Sequence, residues 1–291
     1  MTMQQAMARD GGDASSNAPL EFRELTTVED IRLVQDMERR VWGAEDIDVS
    51  PVLLMAALVK SGALLLGAFL DGRMRGFAFS VPGDRHGHRL HWSHMTGVDE
   101  ALRSSGLGTL LKLEQARRVA ARGYARIQWT YDPLQSLNAH LNLVKLGASA
   151  DEYAEHVYGD STSDLHRGAP TDRFIVTWLL DEAGVPMRSP RLARAAGQEG
   201  VAAGTVVTQG GWDRYHADGE LPTAPVIRVP VPARFSAMLQ EAPDLAMAWR
   251  MQTRAQFEAL FAAGYEAVSF RRVGESGEYI MVNEVPCPDC P

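Results

Sequence analysis

Val98-Asp99-Glu100-Ala101-Leu102-Arg103-Ser104-Ser105-Gly106-Leu107-Gly108 is the stretch that decides the fold. An apolar segment, 90–98, ends there, and an amphipathic segment, 109–122, begins just beyond it. A strand followed by a glycine-rich turn and a helix puts unpaired helix N–H groups at the turn. The helix dipole favours anions at that end. Glycines let the backbone approach such an anion with no Cβ in the way. Arg103 adds a permanent charge on a forked donor. The spacing suits an anion cradle. GxxxxGK[ST] and GxGxxG are both absent, which sets aside two other phosphate loops. A plain strand-to-helix connector is the alternative reading of the string taken alone.

Upstream, Thr27 with Asp30 reads as a capping box, and Ile31, Val34, Met37 and Val41 share one face, so 28–42 is a helix. Glu38 and Arg39 read as part of its solvated face. Ser50-Pro51 is a cap with Pro at the first helical position of a helix to about Lys60, ended by Gly62. Segments 63–70 and 73–81, joined by Asp71-Gly72, form a hairpin. Residues 85–89 read as a polar loop. Downstream, 109–122 turns Leu110, Leu113 and Ala120 inward and is closed by Gly123. Segment 125–131 is a strand broken by Asp132-Pro133. Ser136 opens a helix with Leu137, Leu141 and Val144 on one face, ended by Gly147. Segments 151–158 and 174–180 are strands.

Residues 1–19 read as a disordered leader, 20–183 as one α/β domain with a mixed central sheet, and 184–204 as a linker with one short helix. Residues 205–291 then form a smaller α+β unit. It has strands near 225–231, 265–271 and 278–285, a helix over about 244–263, and a Glu275-Ser276-Gly277 turn. Its order of helix, glycine, strand, turn, strand echoes 136–180, as a degenerate second copy would.

Composition narrows the function. The chain has 291 residues, 45% hydrophobic and 23% charged, with a formal net charge of −8. It lacks the basic footprint of a nucleic-acid binder. Val52 to Val59 is too short an apolar run to span a bilayer, and the leader has no apolar signal core. Cys287 and Cys290 are the two cysteines, in a Cys-Pro-Asp-Cys tail that reads as a frayed terminus, a redox pair or half a zinc site. So few cysteines point to a reducing compartment and a cytoplasmic protein.

The order helix, helix, hairpin, strand, RxxGxG, helix, strand, Asn-containing helix, two strands resembles the GNAT acyltransferase superfamily over roughly 21–181. Val98-x-x-x-x-Arg103 and Asn138…Lys145-Leu146-Gly147 carry the resemblance. It implies an acyl-CoA-dependent N-acyltransferase, with acetyl-CoA or succinyl-CoA as co-substrate, no metal, a small-molecule amine as acceptor, and room for a homodimer. It implies a strand splayed from its neighbour, with Gly97 and Val98 pairing to the pantetheine arm. Arg103, Ser104, Ser105, Gly106, Leu107, Gly108 and Thr109 would hold the pyrophosphate, Asn138 would meet the pantetheine or adenosine side, and Glu38 and Arg39, besides their reading as a solvated face, would lie near the acceptor side.

Amine acylation needs a base, and histidine has the right pKa class. His91 and His94 lie on opposite faces of one strand. The resemblance favours His94. Many family members carry a tyrosine near the end of the Asn-containing helix as proton donor to the thiolate. Here that region reads Asn142-Leu143-Val144-Lys145. Tyr153 is the chosen substitute, with Tyr158, Tyr131 or unassisted departure as alternatives. Arg167 and Arg173, in the loop His166-Arg167-Gly168-Ala169-Pro170-Thr171-Asp172-Arg173, could bind a carboxylate, or the loop could simply be solvated.

The second unit, with Ala248-Trp249-Arg250-x-x-Thr253-Arg254-x-x-Phe257, resembles a bacterial subgroup of long GNAT proteins linked to N-acylamino acid metabolism. That implies an amino-acid acceptor and a succinyl donor. Trp249, Phe257 and Tyr265 read as core.

Overall fold

The computed structural model describes residues 19–43, 49–159, 169–219, 221–232, 234–274 and 276–283. The 1–19 leader (but for its last residue), Arg167 and the Cys287/Cys290 tail lie outside them. The chain forms two compact units, 1–128 with 180–185, and 129–179 with 186–291.

In the first unit β1 (Glu21–Glu24) is followed by α1 (Val28–Trp42), α2 (Val52–Lys60), β2 (Leu64–Leu70), β3 (Arg73–Arg85), β4 (His88–Val98) and α3 (Leu107–Ala121). β5 (Arg126–Tyr131) begins here and pairs in parallel with β4 at His91↔Ile127 and Trp92↔Gln128. The other neighbours, in the order β1-β2-β3-β4, are antiparallel. This is the expected mixed sheet, with helices on both faces.

β2 reads Leu-Leu-Leu-Gly-Ala-Phe-Leu without alternation because both of its faces are covered. Leu65, Phe77 and Phe79 pack with Ile31, Val34, Met37 and Met55 of α1 and α2. Leu66, Ala68 and Ala78 pack with Leu107 and Leu111 of α3 on the other face. Each fully buried Leu, Ile, Val, Phe or Met side chain among these contributes roughly 1.5–3 kcal/mol.

The capping box of α1 is as expected, Asp30 N donating to Thr27 Oγ1 at 3.1 Å. Asp71-Gly72 is the tight turn of a hairpin, with φ 52° and 70°. Four local expectations are corrected. Residues 85–89 are no loop, because β3 and β4 stay paired out to Arg85↔His88 around His86-Gly87, both at positive φ. Pro51 is the N-cap of α2 rather than its first helical residue, and no side chain caps that helix. α3 starts two residues early, at Leu107, and buries Leu107, Leu111, Lys112, Gln115, Ala116 and Val119, leaving Leu113 exposed. Glu38 is buried, not solvated.

The second unit continues with α4 (Ser136–Ala139), β6 (Ser149–Ala154), β7 (Arg173–Leu180, its last residue counted with the first unit), β8 (Pro186–Met187), α5 (Leu192–Ala195) and β9 (Val201–Ala202). Then come β10 (Gly204–Gln209), β11 (Trp212–Ala217), β12 (Val226–Pro232), α6 (Phe235–Glu241), α7 (Pro243–Ala262), β13 (Tyr265–Val273) and β14 (Ser276–Asn283). The sheet order is β7-β6-β13-β14-β12-β9, and β10-β11 is a separate hairpin. Residues 186–202 thus carry two short strands besides the expected short helix.

After α4 the chain passes into a π-helix, His140–Lys145. Ala139, Asn142 and Leu143 are the buried positions here, and Leu137 is exposed, against the expected Leu137–Leu141–Val144 face. Ser276 and Gly277 belong to β14 rather than to a turn, since Val273 pairs with Ser276. Trp249, Phe257 and Tyr265 are core, as expected. Among the described residues no helix is long and apolar enough to cross a membrane.

Candidate functional site

β4 carries one irregularity. Met95 stands opposite Phe79 and Ser93 opposite Ser80, so His94 has no partner across the ladder. Such a bulge bends a strand and re-aims a side chain. His94 is thereby set on the α1–α2 side of the sheet, edge-on to Phe79 with ring centroids 6.3 Å apart. Part of the ring reaches solvent. Burial lowers its pKa, and the charge of Glu38 on α1 pulls the other way.

His91 and Ser93 are fully buried on the α3 side. His91 Nδ1 is 3.0 Å from Ser80 Oγ, and burial with the nearby Arg122 charge pushes its pKa down to about 4. Lys112 of α3 donates to Ser93 Oγ at 2.9 Å and to Gln115 Oε1 at 3.0 Å. Burial pushes its ammonium down to about 7.

β4 ends at Gly97 and Val98. A Cβ on Gly97 would lie 2.7 Å from Phe77 Cε1, so glycine is required there for packing alone. Asp99 then accepts the Ala101 N–H at 3.3 Å and pairs with Arg75 at 3.0 Å, which ties down a short 3-10 turn over Glu100–Leu102. Ser104 stands at φ 69°. Ser105 Oγ donates to the Leu102 carbonyl at 2.7 Å and faces the Leu107 N–H at 3.4 Å.

Gly106, at φ 88°, is the N-cap of α3, with nothing within 4 Å of where a Cβ would stand. The amides of Gly108 and Thr109 in the first turn have no intrahelical acceptor, by the geometry of any helix. This is an open, positively polarised helix end. Arg103 turns one nitrogen to the Val41 carbonyl at 3.0 Å, and its side chain stays half exposed.

The remaining expected residues lie in the second unit. Asn138 is exposed on α4. The asparagine that is buried is Asn142, whose Oδ1 accepts the Trp129 indole N–H at 3.2 Å. Tyr153 donates its hydroxyl to Asp172 at 2.6 Å, and burial raises its pKa. Asp172 also accepts two bonds from Arg254, each 2.9 Å. Tyr131 Oη is 3.1 Å from Tyr279 Oη, and Tyr158 Oη is 2.9 Å from Thr130 Oγ1. Arg173 is buried with its guanidinium over the Tyr158 ring, 5.2 Å from the centroid.

Sequence reasoning took Glu38 for part of a solvated helix face. It is 2% exposed, its Oε2 accepts the Ser50 N–H at 2.8 Å, and its Oε1 has no hydrogen-bond partner among the described residues. Its flanking positions give a signal in retrospect, since Ile31, Val34 and Glu38 are spaced three and four apart, on one helix face. A cavity of about 390 Å³ in this unit lies elsewhere, lined among others by Arg89, Arg122 and Tyr124 near the start of β4.

Comparison with solved structures finds an acetyltransferase of the GNAT family from Streptococcus pneumoniae, 20% identical, covering 56% of this chain and all of that one, with a TM-score of 0.44. The ribosomal-protein-S18-alanine N-acetyltransferase from Escherichia coli is 17% identical over 58% of this chain and 95% of that one, TM-score 0.45. The PaiA N-acetyltransferase from Thermoplasma acidophilum, in complex with coenzyme A, is 15% identical over 55% and 98%, TM-score 0.41. No curated protein matches the chain. Residues 7–133 match the model of the acetyltransferase (GNAT) domain, the span that holds the β4 bulge, the glycine-capped α3 and β5.

Proposed function

We propose that the chain is an N-acyltransferase that takes an acetyl or succinyl group from acyl-CoA and passes it to the amine of a small molecule, an amino acid in the first instance. The observation that carries this reading is the succession along β4 and α3: a bulge that isolates His94, then a helix end capped by Gly106 with free amides. The pyrophosphate of the donor fits the helix end by charge and by room, since no atom fills the space a Cβ would take at Gly106.

In this reading the backbone of 104–109 holds the pyrophosphate, and His94 serves as general base. Burial favours the neutral imidazole that a base requires. The amine nitrogen attacks the thioester carbonyl, the C–N bond forms, and the C–S bond breaks. The amine's proton passes to His94, and the thiolate leaves. Tyr153 is assigned no step, because its hydroxyl is held by Asp172.

A second reading is a CoA-binding module without catalysis. It is favoured by the absence of a tyrosine in Asn142-Leu143-Val144-Lys145. Thiol release from acetyl-CoA and from succinyl-CoA over a panel of amino acids separates the two. Turnover with at least one amine supports the transferase. CoA binding with no turnover across a broad amine panel supports the module.

A further inference from the structure

The cavity of about 390 Å³ in the first unit lies at the other end of α3 from Gly106. Glu24 closes β1, Lys60 closes α2, Arg89 stands near the start of β4, and Arg122 follows α3. The 15 residues of α3 put this end about 22 Å from the glycine-capped one. Its volume falls toward the lower end of the range for small-molecule sites. The donor cradle and His94 take no part in lining it.

The lining joins buried apolar side chains to cations. Leu25, Ala63 and Leu65 are all buried, and the half-buried Tyr124 ring stands beside them. Lys60, Arg89 and Arg122 face one carboxylate, Glu24. That carboxylate is already shared between Arg122 at 2.8 Å and Arg118 at 3.2 Å. A chain of net charge −8 thus carries a cavity of positive sign, where low-dielectric walls focus the field on an anion. Arg122 is fixed by its bonds to Glu24 and to the Gly62 carbonyl at 3.0 Å. Arg89 is held in another way. Its guanidinium lies over the Tyr124 ring, 4.8 Å from the centroid, and no described residue accepts a hydrogen bond from it. A ring face orients the fork without using an N–H, so its donors remain unspent. Tyr124 in turn packs edge-on against the buried His91, with ring centroids 4.5 Å apart. Lys60 likewise has no acidic partner among the described residues.

We propose that this cavity is a second ligand site, apart from the donor and acceptor sites, and that it takes a short aliphatic carboxylate. The carboxylate meets the Arg89 fork and Lys60, and the hydrocarbon body lies against Leu25, Ala63 and Leu65. Both halves of the ligand are needed. An alcohol of the same length brings no charge to the two unpaired cations. Inorganic phosphate brings charge but nothing to cover the apolar lining. The site stands independently of whether the chain transfers an acyl group.

NMR of the full chain tests this with sodium hexanoate, 1-hexanol and sodium phosphate at matched ionic strength. Hexanoate is expected to shift the Tyr124 ring and Arg89 Nε–H resonances saturably and to leave the His94 ring in place. Hexanol and phosphate should leave all three where they are. Saturating CoA should not alter the hexanoate response, because the cradle lies at the far end of α3. Arg89→Met keeps an apolar stem over Tyr124 and should weaken hexanoate roughly tenfold or more, the loss of one charge-assisted contact. Lys60→Met, at an exposed position, should weaken it as well. Tyr124 unmoved by hexanoate, an equal response to hexanol or to phosphate, a response at His94 alone, or displacement by CoA would each overturn the site. So would unchanged hexanoate affinity in both variants. The comparison of ligands on the unaltered chain stands even if a variant fails to fold. A chain that binds hexanoate at Tyr124 and acylates no amine would lose the transferase reading and keep this site.

Discussion

Gly106, at φ 88°, accepts the Leu110 N–H at 3.1 Å and so closes the first turn of α3 on a residue without a side chain. The backbone conformation and the open space above it are separate facts, and they predict different consequences. Gly106→Ala strains a left-handed position and should cost about 1 kcal/mol of stability, read by denaturant unfolding. Gly106→Glu adds a like charge where the pyrophosphate is proposed to sit. Calorimetric titration should show CoA affinity reduced roughly a hundredfold or more, a loss of about 2.7 kcal/mol. Affinity retained in Gly106→Glu would remove the loop from the donor site.

His94→Ala separates binding from chemistry. The imidazole lies on the strand ahead of the loop and contributes nothing to the cradle amides. CoA affinity should be unchanged and kcat lower by roughly 10²–10⁴. Steady-state kinetics with a saturating amine gives the number. An unaltered kcat takes His94 out of the mechanism.

Two buried bases make stability depend on pH in one direction. His91 is held down to about 4 and Lys112 to about 7, from ordinary values of 6.5 and 10.5. In the window from 4 to 6.5 for His91, and from 7 to 10.5 for Lys112, the unfolded chain binds more protons than the folded one. Stability therefore rises with pH through each window, by up to about 1.4 kcal/mol per unit per group. Lys112→Met should flatten the slope between pH 7 and 10 in denaturant titrations. An unchanged slope would show that Lys112 titrates alike in both states.

In the second unit Arg250 is 1% exposed and donates to Asp132 Oδ2 at 2.7 Å. Its guanidinium lies over the Phe235 ring, 4.9 Å from the centroid. Arg250→Met leaves the buried Asp132 carboxylate without this partner and should cost about 3–5 kcal/mol. A loss under 1 kcal/mol in thermal or denaturant unfolding would show that Asp132 finds another donor or takes up a proton.

Local chemistry was the legible part of this fold. Thr27 with Asp30 and Asp71-Gly72 declare themselves because cap and turn are decided within four residues. The missed features have separate causes. His86-Gly87 is as tight a turn as Asp71-Gly72, yet histidine at positive φ is uncommon enough to read as loop. The β10–β11 hairpin had a Gly210-Gly211 signal, but its strands are largely exposed and lack a strong apolar alternation. Over 136–146 a 3.6-residue period fits both Leu137, Leu141 and Val144 and the face that is in fact buried, Ala139, Asn142, Leu143 and Leu146, so periodicity alone chose wrongly. At the candidate site the loop was readable as a string. The bulge at His94 and the burial of Glu38 were not, since both follow from pairing across β3–β4 and packing under α1.

The α3 end at Gly106 is proposed to hold the pyrophosphate of coenzyme A. The direct measurement is a titration of the ¹⁵N-labelled chain with CoA and, separately, with pantetheine, following the amides of Gly106, Gly108 and Thr109. Large saturable shifts of these amides are expected with CoA, and little change with pantetheine, which has no phosphate. CoA binding that leaves the three amides unmoved would contradict it.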